Sequence, residues 1–272
     1  MSWTFTHDLD AFLATAGPAL AAHPAENTVP LTVTEGLQRR GLQVYGDAAP
    51  LFGWWCGRDG TVNGTVAWTP PHPLLVGVSP AEALGPLAEA LETLDVTAVN
   101  AERSVGEALT ARWPSAVTEG EQCLYRLVEL VPPRPAPPGS PRTAGADDRA
   151  LLTEWYTAFG RETGQPAPAG AVDDRVSYGG LVLWEIDGRP VSLAGFTRPT
   201  AGSVRVGPVY TPPEQRGRGY AAAVTAHVSR AALDAGAAGV LLFTDLANPT
   251  SNGVYRRIGF RPIAERVVVS RG

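Results

Sequence analysis

The chain has 272 residues, 44% of them hydrophobic and 18% charged, and its net charge is −5. That length suits two domains of about 130 residues each, and the acidic balance gives nucleic-acid binding no electrostatic support. No stretch reaches the roughly 20 apolar residues that span a bilayer, and residues 1–8 lack the basic and apolar run of a secretory leader, so a cytoplasmic protein with no membrane partner is expected.

In the first half, residues 51–57 and 62–68 read as strands around a turn, and 74–78 as a short strand. A helix at 80–94, a strand at 96–99, a helix at 104–113 and a closing strand at 122–130 follow. Residues 131–141 then hold six prolines in eleven positions, which neither a helix nor a central strand accepts. They read as an extended, semi-rigid linker. The expected division is a first domain at 1–131, a linker at 132–141 and a second domain at 142–272.

Beyond the linker, Leu151, Leu152, Trp155, Tyr156 and Phe159 form a helical stripe that Gly164 and the prolines after it end. Two apolar runs, 181–186 and 190–196, flank Asp187-Gly188, a strong hairpin signal. A third strand at 204–211 completes a meander. A helix from Gly217 with Tyr220, Val224, Val228 and Ala231 on one face leads to an apolar strand at 239–245 suited to a buried position. A helix near 250–257 and a strand at 263–270 close the chain. Strands alternating with helices in this mixed order predict an α/β fold with a mixed sheet and a strand–helix–strand crossover.

Cys56 and Cys123 sit in apolar surroundings and read as buried thiols in a reducing compartment. The histidines at 7, 23, 72 and 227 have no ligand spacing, so no metal site is expected. All 22 basic residues are arginine, which a GC-rich coding sequence explains.

The informative stretch is Tyr210 to Ala221, where a strand yields to a loop with two glycines and two arginines and a helix begins at once. A helix start offers unpaired N–H groups and positive dipole, and glycine lets an anion approach the backbone. Taken alone, the same stretch is equally a tight turn with exposed arginines. Two further features stand beside it: the pattern Arg216-x-x-Gly219-x-Ala221, and the segment Asn248 to Phe260, in which Asn248 and Tyr255 precede Gly259-Phe260 after the apolar strand. Together, in this order and spacing, they resemble the two signatures of the GNAT N-acetyltransferases over roughly residues 142–272.

That resemblance implies a GNAT-like fold, acetyl-CoA as cofactor, and transfer of its acetyl group to a primary amine by direct attack in a ternary complex. The amine is a small molecule or a protein amine. Backbone groups of Val209, Tyr210 and Thr211 are then expected to hold the pantetheine arm, and the amides of Arg216, Gly217, Arg218, Gly219, Tyr220 and Ala221 the pyrophosphate. Asn248 is expected to reach the pantetheine, with a helix cap as its alternative role. Ser251 or Asn252 lies within reach of the cofactor, and Tyr255 is expected to protonate the departing thiolate, with plain packing as its alternative. For the general base the candidate is Glu185, a carboxylate inside an apolar run. An outward-facing strand residue is the alternative there, and Asp173, Asp174 or a water chain are further options.

The first half parallels the second in element order, but Val78 to Gly85 replaces the phosphate loop and brings Glu82 with no arginine. The expectation is two tandem GNAT-type domains with one intact cofactor site, the first degenerate; an unrelated α/β domain is the alternative for it. The competing function is a non-catalytic acyl-CoA-binding sensor or interaction module. The amine, the base and the oligomeric state are not readable.

Overall fold

The computed structural model describes residues 2–113, 115–165 and 167–271. Two compact units emerge. One comprises Met1–Leu124, Asp245–Ala247 and Ala264–Gly272; the other comprises Tyr125–Thr244 and Asn248–Ile263.

The first unit opens with β1 (Ser2–Thr6), α1 (Leu9–Ala22) and α2 (Thr28–Arg40). Helix α1 buries Leu9, Phe12, Ala16 and Leu20, a stripe at helical spacing, and the Asp8 carboxylate caps it by accepting the Ala11 N–H. β2 (Leu51–Cys56) and β3 (Val62–Trp68) form a hairpin, followed by β4 (Leu74–Val76), α3 (Ala81–Thr93), β5 (Ala98–Glu102) and α4 (Arg103–Thr110). Strands β1 to β5 lie side by side in chain order, antiparallel except for the parallel pair β4–β5. The next strand, β6 (Val117–Leu127), begins in this unit and ends in the other.

The second unit contains β7 (Ser140–Thr143), α5 (Arg149–Thr163), α6 (Ala171–Val176), β8 (Leu181–Ile186), β9 (Arg189–Phe196) and β10 (Ser203–Tyr210). Then come α7 (Tyr220–Asp234), β11 (Gly239–Asp245), α8 (Pro249–Arg257) and β12 (Phe260–Ser270). The sheet is antiparallel from β7 through β10 and parallel at β10–β11. Asp187 and Gly188 both take positive φ, 49° and 74°, as a two-residue hairpin turn requires. Leu152, Trp155 and Tyr156 of α5 pack on Leu181, Leu183 and Leu193, the residues that β8 and β9 turn to one face, while α7 packs against β8, β9 and β10.

The units divide the chain differently from the expected 1–131 and 142–272. From Ala264 onward the last strand belongs to the first unit, where Arg266–Ser270 pair with Glu102–Ala98. Val267 and Val269 join Leu87, Leu91, Val99 and Leu109 in its core. The physical reason is that β5, with Val99 and Ala101 buried, has an edge that β12 pairs. The proline-rich stretch is docked on the second unit, with the Trp184 indole donating to the Pro138 carbonyl (2.9 Å).

Gly259, at the end of α8, adopts φ 103°, and a Cβ there would stand 1.7 Å from the carbonyl oxygen of Glu129. No rotamer change relieves a clash with backbone. Gly259→Ala is therefore expected to destabilise the second unit by roughly 2–4 kcal/mol, combining left-handed strain with overpacking. A denaturation midpoint equal to wild type contradicts this.

Candidate active site

The site begins where two parallel strands part. The register of β10 on β11 runs from Ser203↔Gly239 to Val206↔Leu242, although both strands continue beyond it. β10 meanwhile shifts register on β9 between Val206 and Val209 and then keeps β9 as its neighbour through Tyr210↔Leu193. The opening between β10 and β11 thus exposes backbone groups that in an ordinary parallel pair would be ladder bonds. On the β9 side, the Tyr210 carbonyl accepts from the buried Ser192 hydroxyl (3.1 Å), which also meets the Thr211 hydroxyl at 2.8 Å.

At the end of β10 a single turn of 3-10 helix, Pro213–Gln215, carries the chain to the loop before α7. Gly217 and Gly219 take φ 76° and 84°. The first helical bond of α7 runs from the Ala223 N–H to the Gly219 carbonyl (3.1 Å), so the amides of the first turn stand ahead of the ladder. A Cβ on Gly217 would meet nothing within 4 Å: the space above this backbone is open.

Arg216 takes a different role from its neighbours. Its amide donates to Pro213 O, and its guanidinium donates to the Thr211 carbonyl (2.9 Å) and to both Glu162 oxygens (2.7 Å each), while lying over the Tyr210 ring. Its side chain is a strut between loop and α5. Arg218 rests on the Glu214 carbonyl at 3.3 Å. Tyr220 is buried in the first turn of α7.

Asn248 caps α8: its Oδ1 accepts the Ser251 N–H at 3.0 Å. Asn252 is buried and its carboxamide is committed inward. Its Nδ2 donates to the Asn248 carbonyl (2.7 Å), and its Oδ1 accepts from the Tyr125 hydroxyl (2.8 Å), which in turn accepts from Arg256 Nε. Ser251, half-buried, gives its backbone N–H to the Asn248 cap. Tyr255 is buried, its ring edge-on to Phe260, and burial pushes its hydroxyl up to about 12.

Glu185 does not join this group. It sits on β8, two strands from β10, and its carboxylate accepts from Arg142 Nε (3.0 Å) and Nη2 (2.8 Å). Arg142 also grips both Asp148 oxygens at 2.8 Å. A carboxylate bound this way is committed to an ion pair with Arg142, two strands from the opening. Asp173 is likewise ion-paired, to Arg149.

The corresponding opening of the first unit is filled by its own side chains. After β4, the Gly77 N–H donates to Thr65 O (2.8 Å) and the Val78 N–H to Asn27 Oδ1 (2.9 Å). Buried Arg266 donates through Nη2 to the carbonyls of both Val76 (3.1 Å) and Asn100 (2.8 Å), and through Nε to Asn100 Oδ1. Burial lowers its guanidinium to about 10. The guanidinium bridges β4 and β5 at the level where the second unit leaves its strands apart.

A cavity of about 530 Å³ lies beside α5 and α6, lined among others by Arg149, Tyr156, Thr157, Arg161 and Asp173. Nothing in the residue pattern singled out Tyr156 as more than part of a helical stripe.

Residues 149–260 match the sequence model of the acetyltransferase (GNAT) family. No curated protein matches the sequence. Among solved structures, the chain is similar to a GNAT-family acetyltransferase from Colwellia psychrerythraea, with 13% identity, TM-score 0.65 and 99% of each chain covered. It is also similar to a GCN5-related N-acetyltransferase from Sphaerobacter thermophilus, with 18% identity, TM-score 0.64, and 98% of this chain and 94% of that one covered. A tandem GNAT protein from the clavulanic acid biosynthesis pathway aligns over 100% of this chain and 99% of its own, with 14% identity and TM-score 0.58. The fold of both halves is therefore that of tandem GNAT proteins.

The Arg142 pair has a pH consequence. Hydrogen bonds from Arg142 hold the Asp148 carboxyl below its ordinary 3.8. A depressed folded value adds stability above the unfolded value and loses it as pH falls through the folded one. The advantage of wild type over Asp148→Asn is then level above about pH 5 and shrinks in acid below that. Melting curves from neutral pH into the acid range measure it; an advantage that grows with acid contradicts the assignment.

Proposed function

We propose that this chain, which carries an acetyltransferase domain of the GNAT family over residues 149–260, binds acetyl-CoA between β10 and β11 and transfers the acetyl group to a primary amine in a ternary complex. The observation that carries this reading is one continuous feature: strands that part after Val206↔Leu242 and a helix start with Gly217 and Gly219 at positive φ. The first supplies unpaired backbone beside a slot. The second supplies an anion cradle at its mouth, where a Cβ at Gly217 would occupy the space an anion takes.

Bound there, acetyl-CoA supplies an activated thioester carbonyl with a thiolate leaving group. The amides from Gly217 to Ala221 hold the diphosphate. Backbone groups of Val209, Tyr210 and Thr211 hold the pantetheine arm as a neighbouring strand would. Asn248 spends its Oδ1 on the cap, leaving its amide hydrogens for the same arm, with Ser251 beside it. Tyr255 Oη keeps its proton at neutral pH, because burial holds it up to about 12, and delivers that proton to sulfur as the C–S bond breaks. The neutral amine would attack the carbonyl directly, its C–N bond replacing the C–S bond, and the proton it sheds would return through water to the Tyr255 oxygen; holding the amine in place provides much of the acceleration. Arg266 and Asn27 occupy the first unit's opening, which makes the stoichiometry one acetyl-CoA per chain.

Two readouts test this. Calorimetric titration with acetyl-CoA is expected to give one site, with Gly219→Ala weakening it about tenfold through left-handed strain. Thiol release against an amine panel is expected to require an acceptor, with Tyr255→Phe lowering kcat by about 10²-fold at unchanged acetyl-CoA affinity. Binding without turnover of any amine, or full kcat in Tyr255→Phe, contradicts the enzyme reading.

A further inference from the structure

The proline-rich segment is fastened at both ends to the second unit. At its start, the Val131 N–H donates to the Ile258 carbonyl (3.0 Å), just after the Val128 N–H has donated to that of Gly259 (3.1 Å). At its end, Ser140 and Pro141 take register opposite Glu185 and Trp184. There the Trp184 indole, itself only 9% exposed, donates to the Pro138 carbonyl (2.9 Å). Gly139 adopts φ 104° against the end of β8, where a Cβ would collide with the Glu185 carbonyl oxygen. Prolines between such anchors fix φ near about −65°, so the segment has little freedom left to lose and holds its course.

Between the two anchors the segment passes the start of α7. Outside that turn itself, the nearest atoms to a Cβ built on Gly219 belong to Pro137, its Cβ at 3.8 Å and its Cγ at 3.9 Å. A half-buried proline ring therefore stands beside the residue that opens the helix. The same construction on Gly217 meets nothing within 4 Å. One flank of the loop is covered by carbon and the other is open. Proline suits the covering position, because it has no N–H of its own to draw an anion aside. A carbon wall also keeps water from the amides beside it, and an N–H bond to a phosphate oxygen strengthens where water is kept away. The arginines of the loop are engaged otherwise. Arg216 is committed to Glu162 and Thr211, and Arg218 lies on the Glu214 carbonyl.

From this geometry we infer that the proline-rich segment is a wall of the cofactor site. Pro137 covers one flank of the amides that receive the diphosphate of acetyl-CoA, and so sets the affinity for the cofactor. Trp184 and Gly139 act through Pro137 and are positioning residues. The inference rests on the reading that the loop before α7 holds that diphosphate.

The test titrates acetyl-CoA by calorimetry into wild type, Pro137→Ala, Trp184→Phe and the double variant, with melting curves to show that each folds. Trp184→Phe keeps an aromatic ring and removes the N–H that holds Pro138. Each single variant is expected to raise Kd about fivefold, the scale of one net hydrogen bond. Both changes act on one segment, so the double variant is expected to match the single ones and not to multiply their factors. In thiol release with an amine that turns over, the loss is expected in KM for acetyl-CoA and not in kcat. Wild-type affinity in Pro137→Ala, multiplied losses in the double variant, or a loss confined to kcat overturns the inference while leaving acetyl-CoA binding standing. Should Trp184→Phe fail to fold, Pro137→Ala decides alone. A wild type that binds no acetyl-CoA ends the cofactor reading itself, and this inference with it.

Discussion

Much of the second unit follows from one separation, that of β10 from β11 after Val206. Parallel strands that part leave N–H and C=O groups facing a gap, and buried backbone polar groups must find partners. Past its register shift, β10 stays anchored to β9 on its other side, through Val209↔Ala194 and Tyr210↔Leu193. The opening is therefore held apart by the sheet itself. Ser192 fixes the last carbonyl of β10, and Arg216 ties the following loop to α5 through Glu162. Those contacts fix the loop that leads into α7.

The first unit faces the same geometric problem with the opposite solution. Its parallel pair β4–β5 is shorter, and a guanidinium from the last strand spans the carbonyls of Val76 and Asn100. The amide that would begin a phosphate loop, Val78 N–H, is given to Asn27. Filling the gap this way ties the C-terminal strand to the first unit's core, where Val267 and Val269 are buried. One unit thus satisfies its parted strands from within, and the other leaves them apart.

What the residue pattern revealed follows from how local each determinant is. The cradle, the hairpin at Asp187-Gly188, the Asn248 cap and Gly259 depend on backbone conformation over a few residues, and glycine, proline and asparagine mark such places openly. Gly259 has a second reason invisible to local reading, the Glu129 carbonyl against its Cα. The ion pair of Glu185 is not legible locally, because its partner, Arg142, lies 43 residues away, and an acidic residue in an apolar strand looks the same whether it is a base or an ion-pair partner. The crossing of β12 into the first unit depends on which strand edge is free, which pairing alone reveals. Helix α1 carries Pro18 within it, which works against a helix reading of its sequence, although Phe12, Ala16 and Leu20 keep helical spacing.

Hydrogen–deuterium exchange with and without acetyl-CoA is the most direct measurement of the central claim. Protection is expected at the amides of Gly217 to Ala221 and along Gly207 to Thr211, with the segment from Gly77 to Gly85 unchanged. Protection appearing in that first-unit segment, or none at the start of α7, would contradict the assignment of the opening between β10 and β11 as the cofactor site.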